Sequence, residues 1–351
     1  MQEPYIHPLQ AIVPPLIEWY QKNRIEWPFR KDPTPYHVWL SEIMLQQTRI
    51  EAALPYYERF LTQLPTVEAL AAVEDDKLMK LWQGLGYYSR ARNLKKAAIQ
   101  ICEQYGGVLP KDVTLLKKLP GIGDYTAGAI SSIAYGCPEP AVDGNVLRVI
   151  MRLTACSDDI MLPAVRTRVA DTLRSFYPSG KDASLFTEGL MELGEVVCIP
   201  NGEARCSLCP IRGHCEAFRR GETDRYPVRS SKKERRIEKK TILLLKNSDR
   251  YAIIRRPEKG LLAGLWEFPS LDGHLTADDI GAWCKEKGLA PQNAIPCGKA
   301  KHIFSHVEWH MIGYQIDCAS ENADYVWADT EIIRSEYALP TAFRFYVALL
   351  D

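Results

Sequence analysis

The chain has 351 residues, too many for one simple core and enough for two domains. Hydrophobic residues make up 46% and charged residues 25%, the balance of an ordinary globular protein and not of a disordered or fibrous one. Net charge is zero, so any nucleic-acid partner has to be met by a local basic face. The N-terminal MQEPYIHPLQ lacks a basic segment followed by an apolar one, so no signal peptide is expected. No run approaches the ~18 apolar residues that would span a membrane.

Apolar positions recur every three or four residues over 36–61, 66–104, 112–135, 145–154, 163–176 and 182–197, which predicts helices there. Pro65, Gly106-Gly107, Gly121, Pro138, Pro140 and Pro178 punctuate these blocks. Residues 1–222 therefore read as a mainly α domain. The stretch RSSKKERRIEKK (229–240) holds seven basic and two acidic side chains, and is read as solvated linker in preference to a binding arm, with the linker placed at 223–240. Beyond it, TILLL (241–245), YAIIR (251–255), IFSHVEWHMIGYQI (303–316) and DYVWA (324–328) read as strands, so residues 241–351 form an α+β domain.

Three features of the helical part carry chemistry. Glu42, in VWLSEIMLQQT, has Val38, Trp39 and Leu45 within one helical turn, with Gln46 as the fourth neighbour. Apolar surroundings raise a carboxyl's pKa and make it a proton donor near neutrality, unless Glu42 is simply a surface glutamate paired with a cation. Asp143, in AVDGNVLRVI, precedes an apolar helix. An N-cap role would suffice for it, and the helix end would also hold it anionic by depressing its pKa. One neutral and one charged carboxyl is the division of labour that cleaves a glycosidic bond. LPGIGDYTAGAI (119–130) places Gly121 and Gly123 in a turn before a helix, either an ordinary helix–helix turn or a backbone-amide grip on one DNA phosphate.

Cys198, Cys206, Cys209 and Cys215 lie together in CIPNGEARCSLCPIRGHC. A single C-x-x-C with two outliers is poor zinc-ribbon spacing and fits a cubane [4Fe–4S] cluster better. The other six cysteines show no disulfide framework, which points to a reducing, cytoplasmic setting.

In this order, LSEIMLQQT, LPGIGDYTA, VDGNVLRV and the cysteine loop resemble the adenine DNA glycosylases of the helix–hairpin–helix base-excision superfamily. The resemblance runs through the helical domain and, less tightly, into a C-terminal Nudix-like domain. It implies a monofunctional enzyme that removes adenine opposite 8-oxoguanine or guanine in duplex DNA, acting as a monomer and away from membranes. Glu42 then matches the family's general acid at adenine N7, Asp143 the stabiliser of the sugar cation, and Asn145 the residue that orients Asp143. Tyr125 stands where the endonuclease III-type glycosylase-lyases carry a lysine, and a phenol forms no Schiff base. Arg30, Leu45, Ile50 and Glu188 match the adenine pocket. Gln47, Leu85 and Tyr87 match residues that fill the vacated stack, and Arg90 and Arg92 are candidate phosphate contacts. Phe304, Ser305 and His306 match the turn that reads 8-oxoguanine.

The chain departs from the family in two places. The cysteine loop has seven residues in its first gap, where the family usually has six, and Phe29 replaces the usual tryptophan before Arg30. GLLAGLWEFP (260–269) is Nudix-like, but no run of glutamates follows to hold magnesium, which argues against nucleotide hydrolysis. The competing readings are a glycosylase-lyase and a non-catalytic iron–sulfur DNA-binding protein.

Overall fold

A computed structural model describes residues 9–230 and 234–350. Most of the N-terminal MQEPYIHPLQ and residues 231–233 of the basic stretch lie outside the described residues. The chain forms two compact units, Met1–Ala72 with Arg92–Ser231, and Val73–Ala91 with Lys232–Asp351. No helix among the described residues is long and apolar enough to cross a membrane.

The first unit is helical. Its main helices are α1 (Val13–Asn23), α2 (Pro35–Leu45), α3 (Ile50–Gln63), the greater part of α5 (Ser89–Tyr105), α6 (Asp124–Ala129), α7 (Gly144–Thr154), α8 (Pro163–Arg174) and α9 (Lys181–Glu192). Three of the predicted blocks thus break into shorter helices, the 112–135 block dividing into Val113–Leu116 and α6. The 36–61 block divides at the Gln46–Arg49 turn, and the 66–104 block divides into Val67–Ala72, α4 (Asp75–Trp82) and α5. Helix α2 starts on Pro35 with Thr34 Oγ1 accepting the His37 N–H at 3.2 Å, a sound N-cap. Val38 through Met44 are all buried, so α2 runs through the interior and does not lie on its surface. Both α6 and α9 pass directly into π-helical turns, Ile130–Ala134 and Leu193–Val197. Such turns often mark functional sites, and both lie beside the cavity described below.

In the hairpin before α6, Asp112 caps Val113–Leu116 and the exposed turn at Gly121 has φ +79°. A Cβ at Gly121 would stand 2.8 Å from the Asn93 Cβ. Both the dihedral and the space therefore require glycine.

The second unit holds a seven-stranded sheet of β1 (Arg236–Asn247), β2 (Arg250–Arg255), β3 (Trp266–Glu267), β4 (Ser270–Asp272), β5 (Ile295–Ile303), β6 (Val307–Asp317) and β7 (Val326–Asp329). The order is β3-β2-β1-β6-β5, with β4 also on β1 and β7 on β2. Long parallel pairing of β1 with β6, from Arg236↔Val307 to Lys246↔Asp317, forms its centre.

Three expectations change here. β1 begins at Arg236, inside the stretch read as linker, because its main chain pairs with β6, although Arg236, Ile237 and Lys239 stay in solvent there. The strand predicted over 303–316 is interrupted, since residues 304–306 form the turn between β5 and β6 and the Phe304 N–H donates to Val307 O at 2.8 Å. Residues 73–91, read as part of the helical domain, pack with the C-terminal unit. Lys80 donates to Tyr337 O at 3.0 Å, Gln83 to Leu339 O at 2.7 Å, and Trp266 Nε1 to Asp76 at 3.4 Å.

Gly121→Ala is expected to cost about 1–2 kcal/mol from the left-handed backbone alone, with the Asn93 contact adding to it. The shift of the urea unfolding midpoint measures this.

Candidate active site

One cavity of about 460 Å³ in the helical unit gathers nine residues singled out from the sequence: Arg30, Glu42, Leu45, Gln47, Ile50, Tyr125, Asp143, Asn145 and Glu188. Each arrives on a different structural cue. Glu42 comes from the buried run of α2 and Leu45 from its last position, Gln47 from the turn that follows, and Ile50 from the start of α3. Tyr125 comes from the first turn of α6, Asp143 and Asn145 from the start of α7, and Glu188 from α9.

Glu42 is 9% exposed. Burial pushes its carboxyl up to about 7, assisted by the charges of Asp143 and Glu188 and opposed by the Tyr125 hydroxyl and by Arg30. The Tyr125 hydroxyl donates to Glu42 Oε2 in a short hydrogen bond. Burial and the Glu42 and Asp143 charges raise the Tyr125 phenol far above its usual range, so it stays a donor.

Asp143 caps α7, its Oδ1 accepting the Val146 N–H at 2.7 Å. The expectation that this helix end depresses its pKa requires correction. Burial dominates and raises it, while the Val146 and Asn145 amides and the Arg148 and Arg166 charges pull it back. Asn145 meets Asp143 through its main-chain N–H, while its side-chain Oδ1 accepts from Arg148 at 2.8 Å.

Arg30 lies between two carboxylates on successive turns of α9. Glu192 accepts a short bond from Nη1, and Glu188 lies 3.5 Å from Nε. Phe29, the aromatic that departs from the family, also lines the cavity. Sequence reasoning missed Glu192, Arg166 and Glu195. Glu195 lies on the Leu193–Val197 π-turn, and Arg166 lines the cavity while donating to Val142 O at 2.6 Å. The four-residue period of Glu188 and Glu192 facing an arginine elsewhere is the one signal that could have disclosed Glu192. Gln47 is exposed at φ +59°, a left-handed backbone unusual for its type.

The four loop cysteines line one small cavity, walled by Val149, Leu153, Leu193, Val197 and Ile211. Arg152 donates to Cys198 Sγ at 3.3 Å and to Ile199 O at 3.0 Å, and Arg148 donates to Cys198 O at 2.7 Å. Burial raises the Cys206, Cys209 and Cys215 thiols, Cys209 to about 12. Thiolates in so apolar a cavity need a cation, and an all-sulfur donor set suits a soft metal centre. Among the described residues no group of three His, Cys, Asp or Glu side chains could hold a single metal ion.

In the second unit, the Tyr87 and Ser305 hydroxyls share a hydrogen bond of 2.7 Å. Tyr87 is 46% exposed with φ +47°, whereas Leu85 is only 7% exposed and so is not free to enter a base stack as it stands. Arg90 is buried and holds the same turn, donating to Leu85 O and Gly86 O at 3.2 Å, which removes it from the phosphate contacts. Phe304 packs edge-on against His302 and Trp309, while Ser305 and His306 are exposed.

Residues 40–172 match the HhH-GPD superfamily of base excision DNA repair proteins, and residues 241–349 match the NUDIX domain. The chain is 30% identical over 319 residues to an adenine DNA glycosylase of Buchnera aphidicola subsp. Acyrthosiphon pisum (strain APS), spanning 89% of this chain and 90% of that one. It is 31% identical to an adenine DNA glycosylase of Mus musculus, spanning 86% of this chain and 69% of that one. A solved structure of a trapped endonuclease III–DNA covalent intermediate, an estranged-adenine complex, is 26% identical with a TM-score of 0.51, spanning 60% of this chain and 97% of that one. Fold and matched domains define a helix–hairpin–helix base-excision DNA glycosylase with a Nudix-like C-terminal domain. Within that class, the chain belongs to the adenine DNA glycosylase family.

Because the Tyr125 hydrogen bond lowers the Glu42 pKa, Tyr125→Phe should move the Glu42 titration to higher pH than in the parent. Carbon-13 NMR of the glutamate carboxyls across pH 5–9 reads this, the range being set by roughly two pH units either side of the parent's value near 7.

Proposed function

We propose that this enzyme hydrolyses the N-glycosidic bond of adenine paired with 8-oxoguanine, and with guanine, in duplex DNA. The observation that carries the reading is the pairing in one cavity of Glu42, a carboxyl pushed up to about 7, with Asp143, which is bonded to a helix N-terminus.

The adenine nucleotide leaves the stack and enters the cavity, where Leu45 and Ile50 supply apolar walls and Arg30 and Glu188 face its edge. Glu42 gives its proton to adenine N7. The C–N bond then breaks with its electrons going to the base, leaving an oxocarbenium-like sugar. Asp143 stabilises that cation as an ion pair or a transient adduct. The Glu42 carboxylate takes a proton from water as the water attacks the sugar, which returns the acid to its starting state. Tyr125 keeps Glu42 oriented and offers no amine, so no Schiff base forms and the strand is left intact.

Gly121 and Gly123 present backbone amides to a phosphate. Gln47 and Tyr87 fill the gap left by the base, and Phe304, Ser305 and His306 read the opposing 8-oxoguanine. Cys198, Cys206, Cys209 and Cys215 would hold a [4Fe–4S] cluster, which when bound would stiffen the loop and position DNA. The chain acts as a monomer.

Incubation with a duplex carrying adenine opposite 8-oxoguanine should give strand breaks only after alkali. Breaks without alkali would establish a lyase, and no breaks a binding protein. Glu42→Gln and Asp143→Asn should each lower excision by ~100-fold or more while duplex binding persists. Since Glu42 acts as an acid, single-turnover excision should fall as pH rises through about 7.

A further inference from the structure

The two carboxylates that meet Arg30 are not equivalent. Glu188 lines the cavity and stands 3.5 Å from Arg30 Nε. Glu192 stands behind the wall with its side chain 2% exposed. One of its oxygens accepts from Arg30 Nη1, and the other accepts the Ile25 N–H at 3.0 Å. A carboxylate fastened at both oxygens does not follow the arginine; the arginine conforms to it. Rings complete the mount, with the Arg30 guanidinium carbon 5.6 Å from the centre of Tyr20 and 5.8 Å from that of Phe29.

We propose that Glu192 is a positioning residue of the base pocket, fixing the Arg30 guanidinium so that its remaining N–H donors stay directed at the extruded purine. The inference rests on the reading of the cavity as the adenine pocket. An arginine carries five donors and no acceptor, and an unanchored one would swing onto the nearest anion. Inside the cavity that is Glu188, which has to face the base. Glu192 thus holds Nη1 of Arg30 from outside the cavity and limits Glu188 to the longer 3.5 Å contact with Nε.

Glu192→Gln keeps the size and an acceptor for Ile25 but loses the charge that fixes Arg30. In the full-length protein, single-turnover excision should fall about 10- to 100-fold while KM for the duplex stays within about twofold. In an Arg30→Met background the same substitution should change the rate by less than about twofold, because Glu192 acts through Arg30. Parent-like excision by Glu192→Gln, or an equal loss in both backgrounds, would overturn the proposal. Should Glu192→Gln fail to fold by circular dichroism, Glu192→Asp, which keeps the charge but shortens the reach, is held to the same two outcomes. A parent protein that releases no adenine would instead overturn the reading of the pocket and leave the Arg30–Glu192 coupling to be read from the urea midpoints of the two single variants and the double variant, where additive losses would overturn it.

Discussion

The site depends on one unfavourable burial. Glu42 sits in the middle of a helix whose residues from Val38 to Met44 are all withdrawn from water. Nothing in that run other than Glu42 and Ser41 is polar, so the carboxyl has little to sustain a charge except what neighbouring elements bring. They bring opposing influences. Tyr125 and Arg30 favour the anion, whereas Asp143 and Glu188 favour the acid. The outcome, near neutrality, follows from how these elements pack and is not intrinsic to the α2 sequence. The charge of Arg30, left uncompensated, would tilt the balance towards the anion, and the α9 glutamates restrain it.

Asp143 meets a similar desolvation with a different set of partners. Main-chain amides and two arginines offset its burial, where Glu42 has a phenol and one cation. The two acids therefore differ in what surrounds them more than in how deeply they are buried. An N-cap in solvent would owe its properties to the helix dipole. This one owes them to a contest between desolvation and several donors.

Much of the site was legible because short motifs bring chemically distinctive residues at fixed positions. Glu42 in an apolar run, Asp143 before an apolar helix and the cysteine cluster each stand out locally. Glu192 and Arg166 do not, since each resembles an ordinary charge on an amphipathic helix until the opposing surface is known. The direction of the Asp143 shift was misread for the same reason: a helix end is visible in sequence, and the depth at which it is buried is not. In the fold, periodicity located helices but not the unit on which they pack: residues 73–91 lie within the HhH-GPD match, yet their contacts group them with the C-terminal unit. Strand β5, IPCGKAKHI, escaped notice because an edge strand left mostly in solvent lacks the apolar alternation on which recognition relies.

The anchoring of α7 has a consequence for how the protein is made. Asp143 opens this helix, and Arg148 and Arg152 tie it to main-chain oxygens at Gly194, Cys198, Ile199 and Tyr226. All of these lie downstream in the chain. During synthesis the ribosome delivers Glu42 and Asp143 before the segments that anchor α7. The full set of Arg148 and Arg152 anchors can form only after Tyr226 has emerged, so a transcript truncated between codons 154 and 193 would yield a chain holding both acids, with Tyr125 beside Glu42, but with α7 still untethered.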